Sequence, residues 1–174
     1  CLLVVGEETD HLGATAAARS DLRPLHVVLG EPCGVAPARA QMGLARLQLR
    51  AVGQAGHSAY PELGASAVHR LVGALSRLLD GPPLPAAPGF GTTTVNVGRI
   101  SGGLAANVIA PAAEALVLIR CAAPVDEVIA AVRERVSAEG LELRELGRAE
   151  PLAFDTVDQL AGEAVPFNTD AHTL

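Results

Sequence analysis

The strongest constraint on the fold is a change of hydrophobic period in the first third of the chain. Over residues 44–51 apolar and polar side chains alternate, so that Leu47 and Leu49 fall on one face and Arg46 and Gln48 on the other. A period of two with one polar face predicts a strand of an antiparallel sheet that covers a core on one side only.

Five further predicted elements follow this strand and complete the element order of a known fold. Apolar residues spaced three and four apart predict helices over residues 64–79 and 125–138. In the first helix this apolar face consists of Val68, Leu71, Leu75, Leu78 and Leu79. Apolar runs bounded by turn residues predict strands at Thr92–Val97, Ala113–Arg120 and Leu141–Leu146. The order βαββαβ predicts a ferredoxin-like unit, in which two helices pack on one face of a four-stranded antiparallel sheet.

The flanking segments have a different character. Apolar runs at Cys1–Val5 and His26–Leu29 surround an alanine-rich helix near Gly13–Ser20, and this βαβ pattern predicts a parallel sheet. We therefore expect an α/β protein in three parts: part of an outer parallel-sheet domain at residues 1–43, an inserted ferredoxin-like domain at 44–148, and a return to the outer domain at 149–174.

Composition restricts the partners. The net charge is −6, and the thirteen cations, all arginine, are scattered along the chain. With only 2% aromatic residues, this disfavours nucleic acid and anionic membrane surfaces. The three cysteines lack metal-ligand spacing and no long apolar stretch occurs, so we expect a cytoplasmic protein. Because the chain opens without Met inside a predicted strand, we expect an interior piece of a longer protein.

Carboxylates follow both apolar runs of the outer part. Glu7 and Glu8 come directly after the first run, and Glu31 follows the second. The carboxyl ends of neighbouring parallel strands face one crevice, so these side chains should converge. Without basic neighbours they would attract a cation. The alternative is that all three are ordinary solvated loop residues.

Two loops of the inserted part carry further polar signals. Residues Gly53–Pro61 (GQAGHSAYP) place His57 among small residues that allow a ligand to approach. A serine hydrolase is disfavoured because no G-x-S-x-G turn surrounds Ser58. The glycine-rich stretch Asn96–Pro111 could cradle a phosphate, but no helix begins after its glycines, which favours a hairpin with an irregular tip.

Together these segments resemble one family. The motifs GEET at Gly6–Thr9, GEP at Gly30–Pro32, GQAGHSAYP, and TVNVGRISGGLAANVIAP at Thr94–Pro111 occur in the order found in the M20-type di-zinc metallopeptidases and deacylases. The late segment Ala164–Asp170 (AVPFNTD) is similar to a family stretch that returns to the active site. The resemblance covers about Leu2 to Asp170, and acetylornithine deacetylases look like the nearest branch.

The resemblance implies a zinc-dependent hydrolase of N-acyl amino acids, with a role in arginine biosynthesis. Glu7 matches the family's general base, Glu8 a ligand of one zinc ion, and Glu31 a ligand of the other. His57 matches the histidine that reaches the partner's active site in a homodimer and stabilises the oxyanion. Two zinc ions per subunit are implied, with cobalt or manganese as other possible metals.

Three further residues are implied to contact substrate. Gly103 and Asn107 match the hairpin tip of the family's lid domain. Arg120 matches the arginine that pairs with the substrate's α-carboxylate, a task that suits the planar fork of a guanidinium group.

The sequence also departs from the family pattern. The family's first histidine ligand and bridging aspartate belong before Cys1, and its last histidine ligand belongs beyond Leu174. His172 stands in a different family segment and is not predicted to be a ligand. We therefore expect this piece alone to be inactive. A non-catalytic ferredoxin-like module that dimerises or senses an amino acid is the alternative.

Overall fold

The computed structural model describes residues 1–31, 36–138, 140–155 and 162–174. Cys33, one of the three cysteines, and Pro32 of the GEP motif lie outside these residues. In chain order the elements are α1 (Leu12–Ala18), β1 (Ala40–Gln41), β2 (Gly43–Val52), β3 (Gly56–His57), α2 (Ala67–Asp80), β4 (Thr94–Gly102), β5 (Val108–Ile109), β6 (Ala112–Cys121), α3 (Val125–Val136), β7 (Leu141–Ala149), β8 (Leu152–Ala153) and β9 (Ala164–Val165). Single 3₁₀ turns occur at Pro61–Leu63 and Asp170–His172.

The largest sheet has four antiparallel strands in the order β4-β6-β2-β7. Strand β2 lies inside the sheet, where Leu47 is opposite Val117 of β6 and Glu145 of β7. With α2 and α3 in the two crossovers, this is the ferredoxin-like βαββαβ order, as predicted. The fold class expected from the sequence is confirmed.

The core lies between one face of this sheet and the two helices. Leu47, Leu49, Val117 and Ile119 are all almost completely buried in it. Arg46 on the opposite face is exposed, as the period of two predicts. Because aromatic residues are scarce, alanine, leucine and valine fill the space between the layers.

Helix α2 has clear sequence reasons for its position. The Ser66 side chain caps its start by accepting a hydrogen bond from the backbone N–H of His69 at 3.2 Å. Leu71, Leu75 and Leu78 face the core, as predicted. Leu79 was expected on the same stripe but is 54% exposed, because it lies about 100° around the helix from Leu78.

A small second sheet pairs β1, which precedes the large sheet in the chain, with β8 and β9, which follow it. Ala40 of β1 lies opposite Ala153 of β8 in an antiparallel pair and opposite Ala164 of β9 in a parallel pair. The chain therefore enters the ferredoxin-like unit and leaves it at the same place.

The two strands predicted near the amino end are wrong. Helix α1 forms between them, but neither Cys1–Val5 nor His26–Leu29 is a strand, and Leu3 is 89% and Val28 95% exposed. Parallel strands are stable only between neighbouring strands and beneath covering helices. The described part of the chain provides neither for these two runs.

In the described ranges, no helix is long and apolar enough to cross a membrane.

The close approach at Gly53 gives a test of the packing. A Cβ atom there would clash with the carbonyl oxygen of Ala65 and lie 2.7 Å from the backbone nitrogen of Ala67. We expect Gly53→Ala to lower the free energy of unfolding by about 1–3 kcal/mol, the usual cost of overpacking. Gly147→Ala is the control, because nothing lies within 4 Å of its added Cβ.

Denaturant unfolding of both variants measures this difference in the full-length protein. Equal stability of the two variants would contradict the close packing at Gly53.

Candidate active site

Glu7 and Glu8 lie on a tight turn that begins at Gly6. Gly6 has a φ of +85°, a conformation that favours glycine. Its carbonyl oxygen accepts backbone hydrogen bonds from Thr9, Asp10 and His11 at 2.7–3.1 Å. The turn leaves Glu7 partly buried and Glu8 exposed. We call residues 6–11 the carboxylate turn.

Glu31 lies close enough to this turn for the charges of the turn to act on its carboxyl group. The pKa of its carboxyl group is raised above the ordinary value, first by partial burial and then by the negative charges of Glu7, Asp170 and Glu8. Glu31 is therefore within electrostatic range of Glu7 and Glu8, the two other predicted acidic residues, and of Asp170.

The donor chemistry of this region suits a divalent metal only in part. Carboxylate oxygens of Glu8 and Glu31 are suitable zinc ligands, but zinc sites ordinarily use three or four protein ligands. Over the described ranges, no group of three or more His, Cys, Asp or Glu side chains is arranged to hold a metal ion. On their own, Glu8 and Glu31 could supply only part of such a ligand set.

His57 lies in the ferredoxin-like unit beside the tip of the β4–β6 hairpin. It is opposite Val108 in the short β3–β5 pair, and the backbone N–H of Ser58 donates to the carbonyl of Asn107 at 3.0 Å. The His57 ring is exposed, and its Nδ1 accepts from the backbone N–H of Ala59 at 3.1 Å. The loop and the irregular tip therefore form one surface.

A cavity of about 400 Å³ opens on this surface. Ser58, His69 and Gly103 are among its lining residues. Gly103 has a φ of +80°, which a side chain would strain. The structure thus brings the predicted residues His57, Gly103 and Asn107 together, with a cavity beside them.

Arg120 stands apart from both groups, near the end of strand β6. In the sheet it is opposite Leu44 and Thr94. Its Nη1 donates to Oδ1 of Asn168 at 3.3 Å. The guanidinium group is partly buried and contacts the segment that follows β9.

Sequence reasoning missed His11 and its contacts with Asp170 and His172 beside the carboxylates. Nδ1 of His11 lies 2.9 Å from Oδ1 of Asp170, and the Asp170 side chain is only 7% exposed. The ring of His172 packs edge-on against that of His11, with centroids 4.6 Å apart. The available signal was a histidine three positions after Glu8, within the turn itself.

In the described residues the predicted site remains in two parts. The recorded contacts of His57 are with its own loop, Tyr60 and the β5 strand, and none joins it to the carboxylate turn. The segment Asn168–Asp170 does contact both Arg120 and the carboxylate turn.

Known proteins show where this arrangement belongs. A family model described as the peptidase dimerisation domain matches residues 39–144. A probable carboxypeptidase of Talaromyces marneffei is 35% identical, over 99% of this chain and 43% of that protein. One from Aspergillus flavus is 42% identical, over 70% of this chain and 31% of that protein. The chain therefore spans about a third to a half of the curated relatives it matches.

A solved structure supports the fold. The aminopeptidase PepT of Bacillus cereus superimposes with a TM-score of 0.74 at 19% identity, covering 98% of this chain and 51% of that one. At that identity the likeness concerns the fold alone. The family match and the similarity to a relative over 99% of this chain show that the chain belongs to the M20 family of metallopeptidases and contains its peptidase dimerisation domain.

Proposed function

We propose that the full-length protein containing this chain is a metal-dependent hydrolase that cleaves an amide bond next to a free α-carboxylate. The observation that carries this proposal is the tight turn that holds Glu7 and Glu8 side by side, with Glu31 within range of their charges. Such a group favours a bound cation. Membership of a metallopeptidase family and relatives named as probable carboxypeptidases support the hydrolytic chemistry.

Within this proposal Glu8 and Glu31 are metal ligands, and the remaining ligands come from outside this chain. When bound, zinc would polarise the amide carbonyl and lower the pKa of water. Glu7 takes the proton from the attacking water and passes it to the leaving nitrogen. Cobalt or manganese could replace zinc, because the carboxylate oxygens accept each of these ions.

The substrate is held by the other predicted residues. Arg120 pairs with the α-carboxylate through two parallel N–H groups. Gly103 and Asn107 contact the acyl or peptide part from the hairpin tip, and His57 donates to the oxyanion of the tetrahedral intermediate. This set accepts an N-acyl amino acid or the carboxyl-terminal residue of a peptide.

Narrower predictions belong to the same proposal. Acetylornithine is one substrate of this class. Its hydrolysis would give the protein a role in arginine biosynthesis. We assign residues 1–43 and 149–174 to the catalytic domain and 44–148 to the lid and dimerisation domain. A cytoplasmic location stays a prediction. A module that only dimerises or senses amino acids is disfavoured because it has no use for the converging carboxylates.

Glu7 and Glu8 should differ in what they do. In the full-length protein we expect Glu7→Gln to lower kcat by about 10²–10⁴-fold, the usual worth of a general base, and to leave the metal content unchanged. Glu8→Gln should instead lower the metal content, because it removes a ligand. Metal analysis alongside initial rates makes the comparison, and near-normal turnover by Glu7→Gln would contradict its role.

Arg120 should determine the preference for a free carboxylate. We expect Arg120→Lys to raise KM for an N-acetyl amino acid by about tenfold or more, since a lysine cannot form the bidentate pair. For the same substrate with its carboxylate converted to an amide, the variant and the wild type should have similar kcat/KM. The exposed Arg133 on α3 provides the control variant Arg133→Lys. An unchanged preference for the acid would exclude Arg120 from carboxylate recognition.

We also propose that His57 acts across a homodimer. Its recorded contacts lie within the ferredoxin-like unit, and this unit is the part matched by the dimerisation-domain model. A two-fold dimer would deliver one His57 to each of two sites. We expect Arg70 and Arg77 of α2 at the polar rim of this interface, although both donate to backbone carbonyls of their own chain, those of Val52 and Arg135.

A mixing experiment tests delivery from the partner. Glu7→Gln and His57→Ala variants of the full-length protein should each be nearly inactive. After subunit exchange, one of the two sites in a mixed dimer combines an intact Glu7 with an intact partner His57. We expect up to half of the wild-type activity per mixed dimer. If exchange is demonstrated and no activity returns, His57 does not act across the dimer.

A further inference from the structure

Three successive residues after strand β9 contact three separate parts of the molecule. Asn168 Oδ1 accepts from Arg120 at 3.3 Å, and Oγ1 of Thr169 lies 2.7 Å from Oε1 of Gln41. Asp170 Oδ1 lies 2.9 Å from Nδ1 of His11. We call residues 168–170 the bridging segment.

The middle of the bridging segment is fixed in place. Gln41 is fully buried, and its Oε1 accepts hydrogen bonds from both the backbone N–H and the hydroxyl of Thr169. Thr169 is itself 4% exposed, and its hydroxyl caps the 3₁₀ turn by accepting from the N–H of Ala171 at 3.1 Å. Buried hydrogen bonds of this kind hold a segment in place. They are made by Oε1 of Gln41, whose Nε2 has no partner among the described residues.

The backbone geometry at Thr169 places its two neighbours on one side. Thr169 is extended, with φ −128° and ψ 178°. In an extended chain, side chains two residues apart point to the same face and their Cα atoms lie about 7 Å apart. Arg120 and His11 therefore contact two residues, Asn168 and Asp170, whose Cα atoms are about 7 Å apart.

The contact with His11 acts on the carboxylate turn. The backbone N–H of His11 donates to the carbonyl of Gly6 at 2.7 Å, so His11 is part of the turn that carries Glu7 and Glu8. His11 has a φ of +53°, which is uncommon for a residue other than glycine. Such a conformation persists where surrounding contacts enforce it, and the Asp170 carboxylate and the His172 ring are those contacts.

We propose that the bridging segment sets the distance between substrate recognition and the metal-binding carboxylates, with Asn168 positioning Arg120 and the Asp170–His11 pair positioning Glu7 and Glu8. This proposal rests on the proposed roles of Arg120, Glu7 and Glu8. It gives the two ends of the segment separate effects: loss of the Asn168 contact disturbs substrate binding, and loss of the Asp170 contact disturbs metal binding.

Two variants of the full-length protein separate these effects. Asn168→Leu keeps the size of the side chain and removes the acceptor for Arg120, and we expect KM for an N-acetyl amino acid to rise roughly 5- to 10-fold at unchanged zinc affinity. His11→Phe keeps the ring against His172 and removes the nitrogen that faces Asp170. We expect it to weaken zinc binding about tenfold, the usual effect of a lost partner outside the ligand set.

The measurements are zinc affinity by competition with a chromophoric chelator, and KM and kcat with saturating zinc. His26→Phe, at an exposed histidine, is the control. Asp170→Leu should weaken zinc binding as much as His11→Phe does, and the double variant should be no worse than either. Asp170→Asn keeps an acceptor for His11 and should retain most of the zinc affinity. If Asp170→Leu does not fold, the comparison of His11→Phe with Asn168→Leu still shows whether the two ends of the bridging segment have separate effects.

The outcomes distinguish the two proposals. If wild type binds zinc and hydrolyses the substrate, but folded His11→Phe and Asn168→Leu leave both measurements unchanged or shift both equally, the bridging segment does not position the site. If wild type binds no zinc and hydrolyses none of a panel of N-acyl amino acids and peptides, the proposed function is wrong, and the positioning role is rejected with it.

Discussion

The structure depends on strand β2, which is paired along both edges and buried on one face. All ten of its residues pair with β6, eight of them (Leu44–Ala51) also pair with β7, and its inner face lies under the helices. Each leucine buried there contributes about 2 kcal/mol. Gln41 precedes this strand by two residues and His57 follows it by five, so both are placed by the same rigid element.

The carboxylates are arranged on a different physical basis. Glu7 and Glu8 are held by a turn closed around one carbonyl oxygen, and Glu31 lies in an irregular segment nearby. Partial burial, and after it repulsion from Glu7, Asp170 and Glu8, raises the pKa of Glu31 and opposes the arrangement. The contacts of His11 with Asp170 and with the His172 ring tie this turn to the carboxyl-terminal segment.

The ferredoxin-like unit was predictable because its determinants are local. Alternating residues in β2, the leucine spacing of α2 and the turns between them all favour the same arrangement. The apolar runs at Cys1–Val5 and His26–Leu29 were misleading, because whether such a run becomes a strand depends on neighbours supplied by tertiary context.

The same distinction applies to the candidate site. Glu7, Glu8 and Glu31 were identified from their position after apolar runs and from motif resemblance. The segment Ala164–Asp170 was placed at the site by resemblance, but the partners of Asp170 and Asn168 could not be predicted, because His11 and Arg120 lie 159 and 48 residues away along the chain. No local pattern records a contact of that range.

The exposed apolar runs have a practical consequence for work with this piece of chain. Leu3 is 89% and Val28 95% exposed, and the runs Cys1–Val5 and His26–Leu29 contain no arginine, aspartate or glutamate. Unpaired, uncharged stretches rich in valine and leucine associate between molecules through backbone pairing. Protein expressed as these 174 residues alone would therefore tend to aggregate. Charged substitutions within the two runs would improve its solubility without touching the core.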